Sequence, residues 1–287
     1  MKRKNLEIMT LNPHSYSNRK LIEEAQHAGL SVVCANPFYL STSECGPEVA
    51  EVPDYVIHRS SGVLRDSYDL LVSRGLKAMG AKLINDPDCI EVFRSKASQL
   101  LWLKSHELAH VRSYIHRGPI NEASVRNMSS ALGEGGAYMV KTFWGNGGKG
   151  VFKISHFDEL CGVLETQFYQ KDQNFLIQPF VKAEKECRVM FVGGEILGAI
   201  EKTGTQVKKN HQYKTSAKFI SLGQLDQSLR SLAESVMRTS KLSYGAIDFI
   251  FDGSCPLILE VNSMPSFEHW EECSAQNVAS MIISLLC

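Results

Sequence analysis

The apolar positions of this 287-residue chain keep two different rhythms that trade places along its length. Residues 6–11, 30–35, 55–58 and 82–84 are short apolar runs that read as strands. Between the first two, Leu21, Ile22, Ala25 and Ala28 recur at helical spacing and Gly29 closes the run; residues 63–79 read as a second helix. Strands alternating with helices imply a parallel α/β layer over roughly the first ninety residues. A helix over 90–106 carries Lys96 and leads into a polar connection with no strand. Strands at 137–141 and 151–154 then flank a glycine-rich tip, and Ser155 can cap a helix to residue 170. A strand at 175–178 is broken by Pro179 and resumes at Phe180-Val181. A hairpin follows over 187–202 about Gly193-Gly194. Residues 203–217 read as a polar loop, 225–242 as an amphipathic helix and 274–286 as a closing helix.

The stretch from Tyr244 to Asn262 concentrates candidate chemistry. Two strands meet at the turn cluster Asp252-Gly-Ser-Cys-Pro256, and a pivot at Ser254 sets Asp248 opposite Glu260. Side-chain alternation then adds Asn262 to their face and leaves Ile247, Phe249, Phe251, Leu257, Leu259 and Val261 on the apolar face. Facing carboxylates repel unless something neutralises them, and a hard divalent cation with oxygen ligands does so. On that logic, removing one of the two charges leaves the metal-free fold as stable as before or more so. In the second hairpin, pairing Val192 with Glu195 puts Arg188 on the face of Glu186, with Glu201 opposite Glu186.

The tip Thr142-Phe-Trp-Gly-Asn-Gly-Gly-Lys-Gly150 has neither the Walker A ending nor the following helix of a dinucleotide-binding turn. Its glycines suit a hairpin lid that lets backbone approach phosphate oxygens. Arg19, Arg59 and Arg65 fall near strand ends, where parallel sheets bind ligands. The basic stretch Lys208, Lys209, Asn210, His211 and Lys214 suits a phosphate clamp beside an anion site.

Composition removes several alternatives. Thirty-one basic residues balance thirty-one acidic ones, which argues against nucleic acid or a membrane surface as partner. No run approaches a transmembrane length. Eight scattered cysteines with no Cys-x-x-Cys pair suit a reducing, cytoplasmic setting.

The order of these pieces resembles the ATP-grasp superfamily, and within it the RimK-type amino-acid ligases, which include the α-glutamate ligases. The likeness runs from Asn12-Pro-His-Ser-Tyr-Ser-Asn-Arg19 and Asn85-Asp-Pro87 to the carboxyl end. Its most specific parts are Cys187-Arg-Val-Met-Phe-Val-Gly-Gly194 and Leu259-Glu-Val-Asn-Ser263. The resemblance implies an α/β (α+β) ATP-grasp fold behind an N-terminal Rossmann-like domain. The implied divisions are residues 1–94, a lid subdomain at 95–175 and a metal-bearing subdomain at 176–287. It implies ATP with Mg²⁺, or Mn²⁺ in its place, held at Asp248, Glu260 and Asn262. Lys96 and Lys141 would touch phosphates, and Gly147, Gly148, Lys149 and Gly150 would cover them. Gln178, Phe180 and Val181 would border adenine, Glu186 the ribose and Arg188 the acyl phosphate. Lys208 and Asn210 match the family's Arg-x-Asn, with lysine losing the bidentate fork.

Three departures fall elsewhere in the pattern. His211-Gln-Tyr-Lys-Thr215 replaces a Gly-Gly, Pro179 a more frequent glutamate, and Ser266 a glycine. The expected reaction is ATP-dependent joining of a carboxylate to an amine through an acyl phosphate, on amino-acid, peptide or protein-tail substrates, with Glu268 or His269 as amine contacts. A phosphotransferase on the same fold and a nucleotide-binding regulator without turnover are the alternatives.

Overall fold

The computed structural model describes residues 3–60, 66–143, 150–171, 174–183, 185–203 and 216–286. The first layer comprises β1 (Asn5–Met9), α1 (Tyr16–His27), β2 (Ser31–Ala35), β3 (Thr42–Ser43), β4 (Gly46–Pro47), β5 (Tyr55–His58), α2 (Tyr68–Ala78) and β6 (Lys82–Ile84). Its sheet has the order β2-β1-β5-β6 and every pair is parallel, as strand–helix alternation requires. In this layer Ser73, His58 and Asp69 hydrogen-bond in series, and Arg94 forks onto Asp69. All four side chains are buried, so this series joins β5 to its helices and is no accessible nucleophile.

The single helix expected over 90–106 is two: α3 (Pro87–Arg94) and α4 (Lys96–Ser105). Ser95 between them is extended, and its hydroxyl accepts from Ser98 N at 3.4 Å as the cap of α4. Lys96 therefore opens a helix rather than riding in the middle of one.

A second sheet uses β7 (Tyr114–His116), β8 (Tyr138–Thr142), β9 (Val151–Ile154) and β10 (Phe175–Pro179) in the antiparallel order β7-β10-β8-β9. It carries α5 (Glu122–Leu132) and α6 (Phe157–Lys171). The expected polar connection thus holds β7 and α5. The strand is only three residues long, and α5 buries just Met128 and Leu132, too little for a periodic signal. β10 runs on through Pro179, which pairs with Tyr138, and does not resume at Phe180-Val181. This sheet has its own core, including Tyr138, Val140, Leu160, Phe175 and Ile177.

The third sheet contains β11 (Lys185–Val192), β12 (Glu195–Thr203), β13 (Ser216–Ile220), β14 (Tyr244–Asp252) and β15 (Cys255–Asn262), ordered β13-β12-β11-β14-β15. Helices α7 (Gln227–Ser240), α8 (Glu268–Ser274) and α9 (Val278–Ser284) complete the chain. Two expectations are corrected here. Residues 216–220 form an edge strand with no fully buried side chain, and the closing helix expected over 274–286 is shorter, Val278–Ser284, preceded by the unexpected α8, which ends at Ala275 in the left-handed region.

One core joins the first and third sheets. Leu6, Ile8 and Leu21 meet Met190, Ile200, Tyr244 and Trp270, with Ile282 and Ile283 of α9 filling between. Asn85 staples the same seam. Its buried amide donates to the Tyr244 and Ser263 carbonyls at 2.9 and 2.7 Å and accepts from Ser243 N and Tyr244 N at 2.7 and 3.1 Å. All its polar capacity is used, as a buried amide demands. Among the described residues no helix is long and apolar enough to cross a membrane, and no disulfide joins the seven described cysteines.

β11 and β12 slip register between Met190 and Phe191, and Gly198 lies at that slip with φ +132°. A Cβ there would stand 2.6 Å from the Ile220 carbonyl oxygen. Gly198→Ala should lower the unfolding free energy by about 2–4 kcal/mol through strained backbone and overpacking, measured by urea denaturation. A change within experimental error would show that the slip tolerates a side chain.

Candidate active site

The site begins with a row of side chains across the third sheet. Ile200 of β12 faces Arg188 of β11, Arg188 faces Asp248 of β14, and Asp248 faces Glu260 of β15. The Asp248–Glu260 pairing arises differently from a simple Ser254 pivot. The turn is the two-residue Gly253-Ser254, with Asp252 opposite Cys255, and an irregularity beyond Phe249 restores the offset. A neighbouring segment pairs at this point: Ile258 N donates to Ala109 O at 3.0 Å, and Val111 N donates to Ile258 O at 3.1 Å. The expected apolar face changes accordingly. Ile258 is buried with Ile247, Phe249, Phe251 and Val261, while Leu257 and Leu259 are only half-buried. Leu259 instead lines a cleft beside Lys96 and Lys141.

Asp248 is held by a fork. Arg188 Nε and a terminal guanidinium nitrogen donate to its two oxygens, both at 2.6 Å, and Asn262 Nδ2 donates to Oδ2 at 3.0 Å. Burial opposes the Arg188 charge, but Asp248 outweighs it, so the guanidinium is held more firmly protonated than usual.

Glu260 meets Lys96 Nζ at 3.7 Å. That contact depends on Gln99, one turn along α4. Its side chain donates to Val261 O at 2.9 Å and accepts from Val261 N at 2.8 Å, fixing the helix against the edge of β15. Lys141 approaches from β8 and is buried. Burial pushes its pKa down to about 8 from 10.5, Glu260 works against that shift, and Lys96 adds to it.

The two facing carboxylates are therefore already neutralised by Arg188 and Lys96, without a cation. This corrects the expectation that their burial depends on a metal. Asp248, Glu260 and the Asn262 amide still present hard oxygen donors on one face, the chemistry that suits Mg²⁺. Glu260 is about a third exposed and only loosely paired, which makes it the carboxylate most open to an incoming cation.

The other expected residues are distributed unevenly. Gln178 is buried in the cleft with its amide donating to Ser113 Oγ at 2.8 Å. Phe180 is exposed beneath Lys153, whose ammonium lies 3.6 Å from the ring centroid; Val181 is half-buried beyond it. Glu186 shares the Arg188 face, but the register slip places Lys202, not Glu201, opposite it. Gly150, with φ +73°, packs against Thr142, where a Cβ would stand 2.3 Å from Oγ1. Gly147, Gly148, Lys149, Lys208, Asn210 and Arg65 lie outside the described residues. Arg19 is exposed, whereas Arg59 donates to Asn18 Oδ1 at 3.2 Å and to Pro265 O at 3.0 Å, tying the end of β5 to α1 and to the loop after β15.

Sequence reasoning missed Lys202. It faces a cavity of about 360 Å³ together with Arg188, Ser266 and the residues Glu268, His269 and Glu272 of α8. Only the register slip, which the alternating pattern of β12 does not announce, puts it there.

Two antiparallel sheets that close a cleft on two lysines and a carboxylate row define the ATP-grasp fold class, and solved structures agree. A RimK domain ATP-grasp protein from Sphaerobacter thermophilus superposes with a TM-score of 0.76 at 16% identity, over 98% of both chains. The ATP-grasp ligase PsnB, in complex with a phosphomimetic variant of its minimal precursor, Mg and ADP, gives 0.74 at 15% identity, over 99% of this chain and 97% of that one. The chain belongs to the RimK-like ATP-grasp domain family, whose model matches residues 109–286. A probable alpha-L-glutamate ligase of Legionella pneumophila (strain Corby) is 26% identical over 97% of this chain and 94% of its own length.

The charge pattern makes two predictions for the ligand-free protein. Asp248→Asn leaves Arg188 without its counter-charge and should lower stability by about 1–3 kcal/mol; a raised melting temperature without metal would contradict the neutralisation described above. Lys141 has the opposite sign. Its folded pKa lies below its unfolded value, so the unfolded chain binds more protons between about 8 and 10.5, and stability rises with pH across that window. Lys141→Met should therefore be more stable than wild type at pH 7 by about 1–3 kcal/mol, and its advantage should shrink as pH climbs from 8 to 10.5. Urea unfolding of both proteins across that range checks the sign.

Proposed function

We propose that this chain is an ATP-dependent, ADP-forming carboxylate–amine ligase that works through an acyl phosphate. The observation that carries the reading is the in-register row Arg188–Asp248–Glu260 beside Lys96 and Lys141. Three cations and two carboxylates converge there from three separate elements, α4, β8 and the third sheet. Family membership supports the same reaction, since its relative bears the name of a glutamate ligase and a structural neighbour holds Mg and ADP.

In this reading Lys96 and Lys141 hold the phosphates, and Arg188 grips the planar oxygens of the group in transfer. Mg²⁺ at Asp248, Glu260 and Asn262, or Mn²⁺ in its place, would neutralise phosphate charge there. The cleft beside Gln178 and Leu259, lined by polar and apolar side chains in equal number, takes the adenine. A substrate carboxylate oxygen attacks the γ-phosphorus, and ADP leaves with the electron pair of the broken P–O bond. A neutral amine then attacks the acyl carbon, inorganic phosphate departs, and a proton is released to solvent. No side-chain nucleophile is required, so catalysis lies in positioning and charge neutralisation. The substrates are amino acids or peptides, a protein tail included.

Trapping tests the chemistry. Protein, Mg-ATP and a responsive carboxylic acid should yield a hydroxamate when hydroxylamine is added, and the matching amine should give amide, ADP and phosphate in equal amounts. A stable phosphorylated product with no free phosphate would make the protein a phosphotransferase. ATP binding without turnover would make it a regulator. Glu260→Gln should cut turnover by about 10²-fold or more while leaving the melting temperature near wild type.

A further inference from the structure

The short junction from Arg94 to Gln99, where α3 gives way to α4, is fastened to all three sheets. Arg94 reaches back to the first layer. Its two terminal nitrogens fork onto the two oxygens of Asp69 on α2, one of them at 2.8 Å, and Asp69 also lies 3.1 Å from His58 Nε2 at the end of β5. Lys96 opens α4 and donates its backbone N–H to Phe143 O at 3.3 Å, one residue beyond β8 of the second sheet. Gln99 bonds twice to Val261 on β15 of the third sheet. The Lys96 side chain meets Glu260 from the middle of these three anchors.

The first anchor is an unusual one. The Arg94 and Asp69 side chains are both buried, and among the described residues Arg94 Nε has no hydrogen-bond partner. Burial alone would raise the Asp69 pKa, but hydrogen bonds from His58 and Arg94 outweigh it, so the carboxylate stays ionised. A buried ion pair adds little net stability over a well-packed apolar pair, and an unpaired buried donor subtracts from that. What a fork supplies is direction, since two parallel N–H···O bonds fix the guanidinium plane. Neither Arg94 nor Asp69 lines the nucleotide cleft, whereas Lys96 and Gln99 do. We propose that Arg94 is a positioning residue for nucleotide binding: its fork on Asp69 fixes the point from which Lys96, two residues on, reaches the phosphates. The inference rests on the reading of Lys96 as a phosphate ligand and adds the first layer as a determinant of ATP affinity.

The test is a double-variant cycle on the full chain, titrating a non-hydrolysable ATP analogue with Mg²⁺ by calorimetry. Arg94→Lys keeps the charge but loses the fork, and should weaken binding about tenfold, the scale expected when a binding group is slightly misplaced. Asp69→Asn keeps the shape of the anchor, removes its charge and should weaken binding in the same direction. Lys96→Met should weaken it at least as much as Arg94→Lys. Adding Arg94→Lys to Lys96→Met should then change the affinity by no more than about twofold, because a residue that acts through Lys96 has nothing left to place. In turnover, Arg94→Lys should raise KM for ATP by about the same factor as Kd, with kcat at saturating ATP within about threefold of wild type. Melting temperatures establish that each variant is folded at the titration temperature, and Asp69→Asn carries the cycle if Arg94→Lys is not. Unchanged affinity in the variants of the pair, a full additive loss in the double variant, or wild-type binding by Lys96→Met would each overturn the proposal while leaving the ligase reading intact. Failure of wild type to bind the analogue would overturn the ATP-dependent reading and this inference with it.

Discussion

The facing carboxylates Asp248 and Glu260 set the terms for everything around them. Two like charges at directly opposed positions of neighbouring strands cannot be left alone in a half-buried row. The fold answers with a guanidinium from the next strand and an ammonium from a helix, each reaching one carboxylate. The ligand-free site is thereby balanced rather than strained.

That arrangement depends on two buried amides. Gln99 ties α4 to Val261 and so brings Lys96 to Glu260. Asn85 closes the base of β14 against the first layer, using every donor and acceptor it has. Neither carries charge, and neither lines the 360 Å³ cavity. Each fixes a backbone edge that would otherwise expose unpaired groups. The shared apolar core beneath, from Leu6 to Ile283, makes the first and third sheets one packing unit. The second sheet keeps a separate core.

Small irregularities decide which side chains look into the site. The slip beside Gly198 turns Lys202 towards Arg188, and the one at Ile258 turns Leu259 out of the core and into the cleft. Strand alternation has a period of two, so one extra residue exchanges the faces of everything beyond it. In β15 the shorter turn and the irregularity offset one another. Asp248 still faces Glu260 for that reason, although Leu257 and Leu259 do not join the buried face.

Local patterning alone determined the parallel first layer and the two hairpins, one about Gly193-Gly194 and one within Asp252–Pro256, because each rests on periodicity and turn chemistry within a few residues; the expected facing of Asp248 and Glu260 holds because the shorter turn and the register irregularity offset each other. The motifs that resemble the RimK-type ligases were equally legible, and family membership agrees with them. Elements too short or too polar to bury a periodic stripe, β7, β13 and α5, were not. Only the tertiary structure decided that Arg188 and Lys96 neutralise the carboxylates, that Lys141 is buried enough to lose basicity, and that Lys202 faces α8. Those outcomes follow from contacts between segments tens to more than a hundred residues apart, and from register irregularities in β12 and β15. No window of sequence contains both partners.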